Sequence, residues 1–331
     1  MPAAPKPGIV PLRPLGVGEL LDGAITVLRS RPRQTLLVAA VVAVVVNVVR
    51  ALATHAVLGG SQDSFADLTS PSPEVALSAV GDVLSRTLIV GGLQVVVGLI
   101  GTTILTGLLT VVVSRAVLGQ TVSTGEAWAR VRPRLGALFG VTLLGGLLWL
   151  AGFLVAGLVG GAIALAGSGA AGAAVFGLLA LVWVPFAIWL YVLVALAPVA
   201  LVLEGQGVVA ALRRSRALVA GAFWRTLGLL LLVVVIASVV DGIIGIPFSV
   251  LGSGTAVFTG DPAAAYSAVA LTLTAVGGIV SQTITLPFTA AAVVLVYVDR
   301  RMRREGLDLE LARAAAAEQA PAPSGGWTPG A

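Results

Sequence analysis

Cysteine is absent from the 331-residue chain, lysine occurs once, at Lys6, and histidine once, at His55. The first absence excludes disulfides, iron–sulfur clusters and thiolate metal sites. A lone histidine builds no histidine-based metal cluster and has no second imidazole to relay a proton. Charge is scarce too: Asp, Glu, Lys and Arg make up 11% of the chain, against about 25% in an ordinary soluble domain. A water-soluble fold of this length could not cover itself with so few charges, so a soluble enzyme is excluded. What is present instead is 58% hydrophobic residues and a mean hydropathy of +1.05. The apolar runs between the glycines and prolines are too long for a disordered chain. The composition is that of a polytopic, all-α membrane protein.

A membrane-crossing helix needs about 20 mostly apolar residues. Six runs meet that length: about Thr35–Leu52, Thr87–Val113, Leu135–Leu165, Ala174–Ala197, Thr226–Val250 and Ala270–Val298. The uncharged stretch from Leu135 to Leu203 is too long for one span, and 166–172, rich in glycine, reads as the tight hairpin that divides it. Before the first run, residues 1–14 are proline-rich and read as a disordered N-terminal segment. No signal peptide is read there, because the first apolar run starts late, so that run is expected to be a retained span. Residues 15–311 form the transmembrane domain, with an acidic external loop at about 59–85. Residues 312–331, rich in Ala, Pro and Gly, form a disordered tail after a short helix beyond Gly306.

The basic residues set an orientation. With six spans, eighteen of the twenty Lys and Arg residues fall on one side, and only Arg50 and Arg86 fall on the other. The positive-inside rule makes the first side cytoplasmic. The expected location is therefore the cell (plasma) membrane, with both termini in the cytoplasm.

Three cytoplasmic segments share one character. In Gly18–Arg29, residues Leu20, Leu21, Ala24, Ile25 and Leu28 share a helical face. In Ser123–Arg134, Ser123 and Glu126 have capping-box spacing, and Ala127, Trp128, Val131 and Leu135 share a face. The third begins near Gly207, with Val208, Val209 and Leu212 beside Arg213, Arg214 and Arg216, then Trp224 and Arg225. Each reads as an interfacial elbow helix feeding a transmembrane hairpin, anchored by tryptophan and arginine stems. Packing of the same apolar faces on the bundle is the competing reading. The predicted architecture is three elbow-plus-hairpin units.

Catalytic patterns fail on context. Gly167-x-Gly169-x-x-Gly172 matches the dinucleotide fingerprint, but that motif needs a preceding strand, and here it lies in a hairpin between spans. A P-loop, HExxH and GxSxG are absent. A metal site of Asp63, Asp67 and Glu74 around His55 is disfavoured because the segment reads as loop. No cofactor is expected. Polar residues in the spans are stronger candidates, because burying them in hydrocarbon is costly. Gln94, Thr102, Thr106, Gln282 and Thr285 form the candidate intramembrane path, with Pro287 read as breaking the sixth span. Asn47, Thr103, Thr110, Ser281 and Thr283 belong to the same polar set. Interhelical hydrogen bonding is the plainer explanation. Gly136-x-x-x-Gly140 and Gly157-x-x-x-Gly161 read as close-packing surfaces. Arg213, Arg214, Arg216, Arg300, Arg301, Arg303 and Arg304 are the candidate contacts for anionic lipid headgroups. Nucleic acid is a poor partner, because the basic groups hug the membrane.

Three stretches carry a family resemblance: Pro11–Gly23; Glu204–Ser215 with Phe223–Arg225; and Pro287-Phe288 with Tyr297–Asp308. They resemble the membrane-domain family named for glycerophosphoryl diester phosphodiesterases, in its free-standing actinobacterial form. The resemblance covers roughly Pro11–Leu311 and implies the membrane part alone. The catalytic barrel that gives the family its name has no room here, so no hydrolase activity is expected. Two functions follow as expectations: a non-enzymatic scaffold or partner subunit engaging lipids and envelope proteins, or a small transporter or lipid-handling permease. A membrane-protein partner and a second copy of the chain both fit the first.

Overall fold

A computed structural model of the chain describes residues 13–60, 62–68, 70–117, 119–120, 122–260 and 262–306. The readings of disordered ends, and of a helix after Gly306, concern residues 1–12 and 307–331 and lie outside that set.

The first unit comprises α1 (Val17–Ser30), α2 (Pro32–Leu58), a short α3 (Gln62–Asp67) and α4 (Pro73–Val117). The second has α5 (Thr124–Val131), a 3-10 turn at Arg132–Arg134, α6 (Leu135–Leu165), α7 (Gly169–Val194) and α8 (Ala197–Glu204). The third has α9 (Val208–Val219), α10 (Phe223–Thr259), a 3-10 turn at Pro262–Tyr266 and α11 (Ala268–Glu305). No strand occurs among the described residues. Six helices are long and apolar enough to cross a membrane: α2, α4, α6, α7 with α8, α10 and α11. The chain is an all-α membrane protein of three elbow-plus-hairpin units.

Local chemistry starts the elbows where the sequence placed them. Ser123 Oγ accepts from the Glu126 backbone N–H, and the Glu126 carboxylate accepts from the Ser123 N–H at 3.0 Å. Glu19 likewise reaches back to the Gly16 N–H at 2.8 Å. These reciprocal bonds satisfy donors that a helix start leaves open. Pro32 opens α2 at a position where its missing N–H costs nothing.

The apolar faces of the elbows turn inward, as the competing reading held. Leu20, Ala24 and Val27 of α1 and Leu218 and Val219 of α9 enter one core with Val294–Val298 of α11. Ala127 and Val131 of α5 join a second core with Leu108, Val112 and Leu201. Ile25, Trp128, Val209 and Trp224 remain exposed, the last at 80%. Inside the bundle α11 is the hub, packing on α1, α2, α4 and α10. Its second half is buried almost all round, from Ala290 to Arg300.

Several expected boundaries move. The segment 59–85, read as an external loop, is largely helical among the described residues: α3 (Gln62–Asp67) and the first turns of α4 occupy most of it. Proline at the first position of α4 and the i, i+4 pair Asp82–Arg86 at 3.0 Å favour helix there. Ser64 ties α3 to Asp82, and Phe65 stacks on Tyr266 with centroids 5.5 Å apart. The 45 residues of α4 rise about 68 Å, more than twice the hydrocarbon thickness, so this helix extends well past the bilayer. Pro287 does not break α11, which runs on as one helix. The break falls instead at Ala195-Leu196, ahead of Pro198. There Ser215 of α9 donates to the Leu193 carbonyl at 2.7 Å and accepts from the Leu196 N–H at 3.2 Å. One buried hydroxyl thus serves both sides of the interruption.

The close-packing glycines are also different ones. Gly136, Gly157 and Gly161 have open space where a side chain would go, and Gly140 meets only ordinary contact. The tight approach is between Gly160 and Gly172. A Cβ on Gly172 would lie 2.4 Å from the Gly160 carbonyl oxygen, and one on Gly160 would lie 2.7 Å from that of Gly172. Gly167, at φ +106°, makes the hairpin turn between α6 and α7.

Candidate functional site

The last turns of α11 set Tyr297, Asp299, Arg300, Arg303 and Glu305 against the segment before α1 and against α8, α9 and α10. Asp299 is fully buried, with a side-chain exposure of 0%. Its Oδ1 accepts from the Leu15 backbone N–H at 2.9 Å and from Arg303 Nε at 2.8 Å, with Arg225 at 3.5 Å from Oδ2. The Leu15 carbonyl accepts from Arg225 and from Arg303, each at 2.9 Å. The backbone just before α1 is therefore clasped by one carboxylate and two guanidinium groups.

One turn away, the Tyr297 hydroxyl donates to Glu204 at the end of α8. Glu204 also accepts from Gln206 and from Arg214 Nε, both at 2.8 Å. Arg214 then reaches Glu305 at 2.8 Å, and Arg301 binds the same carboxylate at 3.0 Å. The hydrogen bond to Glu305, followed by that to Glu204, pushes the Arg214 pKa further up against the opposing pull of burial. Arg300, only 5% exposed, gives Nε and Nη2 to the Leu218 carbonyl at 3.0 Å. A cation there satisfies a carbonyl left open by the end of α9 and complements its dipole.

This network divides the seven arginines proposed as lipid contacts. Arg214, Arg300, Arg301 and Arg303 are engaged inside the protein, and the burial of Arg300 removes it from a headgroup surface. Arg213, Arg216 and Arg304 are exposed and form no hydrogen bond or ion pair among the described residues. The three stretches that carried the family resemblance meet here through Leu15, Glu204, Arg214, Arg225, Tyr297, Asp299 and Arg303. Sequence reasoning missed Glu204, Tyr297 and Asp299 as a unit. The one available signal was an acid set directly before a run of arginines.

The intramembrane polar residues do not converge on one path. Asn47 is fully buried and donates to Gln282 at 3.0 Å, bridging α2 and α11. Its own Oδ1 has no hydrogen-bond partner among the described residues and faces Gly278, where a Cβ would lie 2.5 Å away. Gln94 meets Thr54 at 3.4 Å beside a space of about 20 Å³. Thr102 bonds back to the Gly98 carbonyl at 2.8 Å, and Thr285 to that of Ser281 at 3.0 Å. Thr102 and Thr106 line a cavity of about 600 Å³ between α4, α6, α7–α8 and α11, with Thr142, Trp149, Tyr191 and Thr289. Thr285 lines a separate, apolar one of about 380 Å³ with Leu28 and Phe288. His55 turns its Nδ1 to the Tyr266 carbonyl at 3.1 Å.

The profile of a domain of unknown function (DUF7847) matches residues 15–300. Those bounds fall beside the two ends that the Leu15–Asp299 clasp joins. Neither the curated proteins nor the solved structures gave a match.

Proposed function

We infer that this chain, which belongs to the DUF7847 family of unknown function, is a non-enzymatic membrane scaffold or partner subunit that engages anionic lipid at its arginine-rich end. The observation that carries the reading is the division of that end into two layers. An inner layer of ion pairs and charged hydrogen bonds holds the first and third elbows to the bundle. An outer layer of the exposed Arg213, Arg216 and Arg304 is left free for headgroups, and Trp224 at the start of α10 is exposed as well. A non-enzymatic role is supported by the state of the two buried acids. Asp299 and Glu204 each accept from several donors at once and have little left for chemistry. The resemblance to the glycerophosphoryl diester phosphodiesterase membrane domains belongs to this proposal. Its stretches serve the clasp, which fits a structural inheritance without the named activity.

The plasma membrane and a cytoplasmic position for both termini complete the reading. In this cysteine-free chain, single cysteines at Ser70 and Ser324 are expected to label from opposite sides. Labelling of both by an impermeant reagent in intact cells would overturn the orientation.

Lipid engagement is tested by neutralising the outer layer. With detergent-purified protein, the R213Q/R216Q/R304Q variant is expected to bind a short-chain anionic phospholipid about a hundredfold more weakly at low salt, from about 1 kcal/mol per charge. The loss should shrink as salt screens exposed charge. Unchanged affinity and salt dependence would remove these residues from a lipid role. A lipid-handling permease is the second reading, favoured by the 600 Å³ cavity with its hydroxyl-bearing wall.

A further inference from the structure

At the arginine-rich end, a cavity of about 500 Å³ opens between the last turn of α4, the α5 elbow with its 3-10 turn, and the end of α8. Its apolar side is formed by Val111 and Val202, and its polar side by Ser114, Arg115, Arg130 and Arg134. Among the described residues, no acidic side chain lines it. Glu126 attracts Arg130 and Arg115 through space, but its carboxylate is turned back onto the Ser123 N–H at 3.0 Å. Three guanidinium groups therefore face one space with an excess of positive charge.

The local backbone builds that cluster. Arg134 Nη1 donates to the Val202 carbonyl at 2.6 Å. Its guanidinium lies over Gly205, where a Cβ would come within 2.9 Å of Nη2 and where φ is +68°. Glycine thus both ends α8 in the left-handed region and leaves room for the arginine. Arg115 is steadied by Gln120 Oε1, and Arg130 forms no pair among the described residues. A guanidinium carries five N–H donors, so positioning Arg134 and Arg115 leaves most of their donors free. Forked donors around an oxygen-rich anion are the arrangement that phosphate groups favour.

A second feature gives the anion a place to carry chains. The 600 Å³ cavity lies further along two of the same helices, α4 and α8. Thr106 precedes Val111 on α4 by five residues, and Pro198 precedes Val202 on α8 by four, which is about 6 to 8 Å of helix rise.

We propose that the Arg115–Arg130–Arg134 cavity is a binding site for a phosphate ester, the headgroup of an anionic phospholipid whose chains rest against the apolar helices above it. This site deepens the lipid-binding reading and rests on it, but it uses none of the outer arginines Arg213, Arg216 and Arg304.

The test titrates detergent-purified full-length protein with dioctanoyl phosphatidic acid, dioctanoyl phosphatidylcholine and glycerol 3-phosphate, reading binding by calorimetry. R115Q and R130Q are the variants, because Arg134 also holds α8. Their melting temperatures without ligand check that they fold. The wild type is expected to bind phosphatidic acid at a saturable site, and each variant about tenfold more weakly. Phosphatidylcholine should bind at least tenfold more weakly than phosphatidic acid. Glycerol 3-phosphate binding as tightly as the lipid would support the phosphate site and assign it to a soluble phosphate ester. Weak or no binding of glycerol 3-phosphate would support the lipid source. Loss of affinity in R115Q and R130Q with none in R213Q/R216Q/R304Q would support the cavity and overturn the outer-layer reading. Wild-type affinity in both R115Q and R130Q for every probe would overturn the site, whatever the outer variant does.

Discussion

Asp299→Ala is expected to destabilise the protein by about 3 kcal/mol and to release α1 from the bundle. The side chain is fully buried, and it accepts from the Leu15 N–H and from Arg303, with Arg225 close by. Removing one partner of a buried pair typically costs about 3 to 5 kcal/mol, because the groups left behind stay desolvated. Here the two arginines are part-exposed and can turn toward solvent, which places the effect at the lower end. The Leu15 N–H has no such escape, since Leu15 itself lies in the core. Asp299→Asn keeps an acceptor and loses the charge, so it should fall between the two. A cysteine introduced at Leu20, buried in the native protein, gives the local readout. In D299A it should react with a thiol reagent well below the melting temperature. If it stays protected and the melting curve does not move, the clasp contributes little to docking α1.

Gly172→Ala should cost about 2 to 3 kcal/mol, a large effect for one methyl group. The added carbon would sit 2.4 Å from the Gly160 carbonyl oxygen and 2.9 Å from the Ala164 backbone nitrogen. Both obstacles are backbone, so no rotamer change relieves them and α6 and α7 must separate. Overpacking of this kind usually costs about 1 to 3 kcal/mol. Gly157→Ala and Gly161→Ala are the contrast. They add a methyl into open space and gain up to about 1 kcal/mol of helix propensity. Thermal unfolding in detergent should therefore rank G172A below the wild type and the other two level with or above it. Equal melting of G172A and G161A would mean that the hairpin relaxes freely at this crossing.

These two sites also show what the sequence could and could not convey. Hydropathy marks the apolar part of a helix, so the six spans were legible, along with the elbows and the Ser123–Glu126 capping box. It does not mark where a helix ends once it leaves the bilayer. That is why the outer end of α4, carrying Asp82 and Arg86, read as loop. Spacing of small residues shows that they share a face but not which neighbour they meet. Gly160, outside the Gly157-x-x-x-Gly161 pattern, is therefore the one that meets Gly172 across the turn. The clasp was illegible for a similar reason. Arg225, Arg303 and Asp299 each have an adequate reading as topology signals or solvated charges. Only the juxtaposition of chain segments 284 residues apart reveals them as one network. The threonines of the spans carry a weak signal, since a hydroxyl can bond its own helix four residues back, as Thr102 and Thr285 do, whether or not it also lines a cavity.

The Leu15–Asp299 contact also imposes an order on biosynthesis. The first elbow emerges from the ribosome with its docking partner still 284 residues away. At about 5 to 20 residues per second, that interval lasts about 15 to 60 s. During it, Leu20, Ala24 and Val27 have no finished core to enter, because the hub they pack on is made after every other described helix. The nascent elbow must wait on the membrane surface or in the hands of a chaperone. Closure of the bundle is then a report that translation passed α11, and a chain stopped before it carries an undocked apolar first elbow for quality control to find.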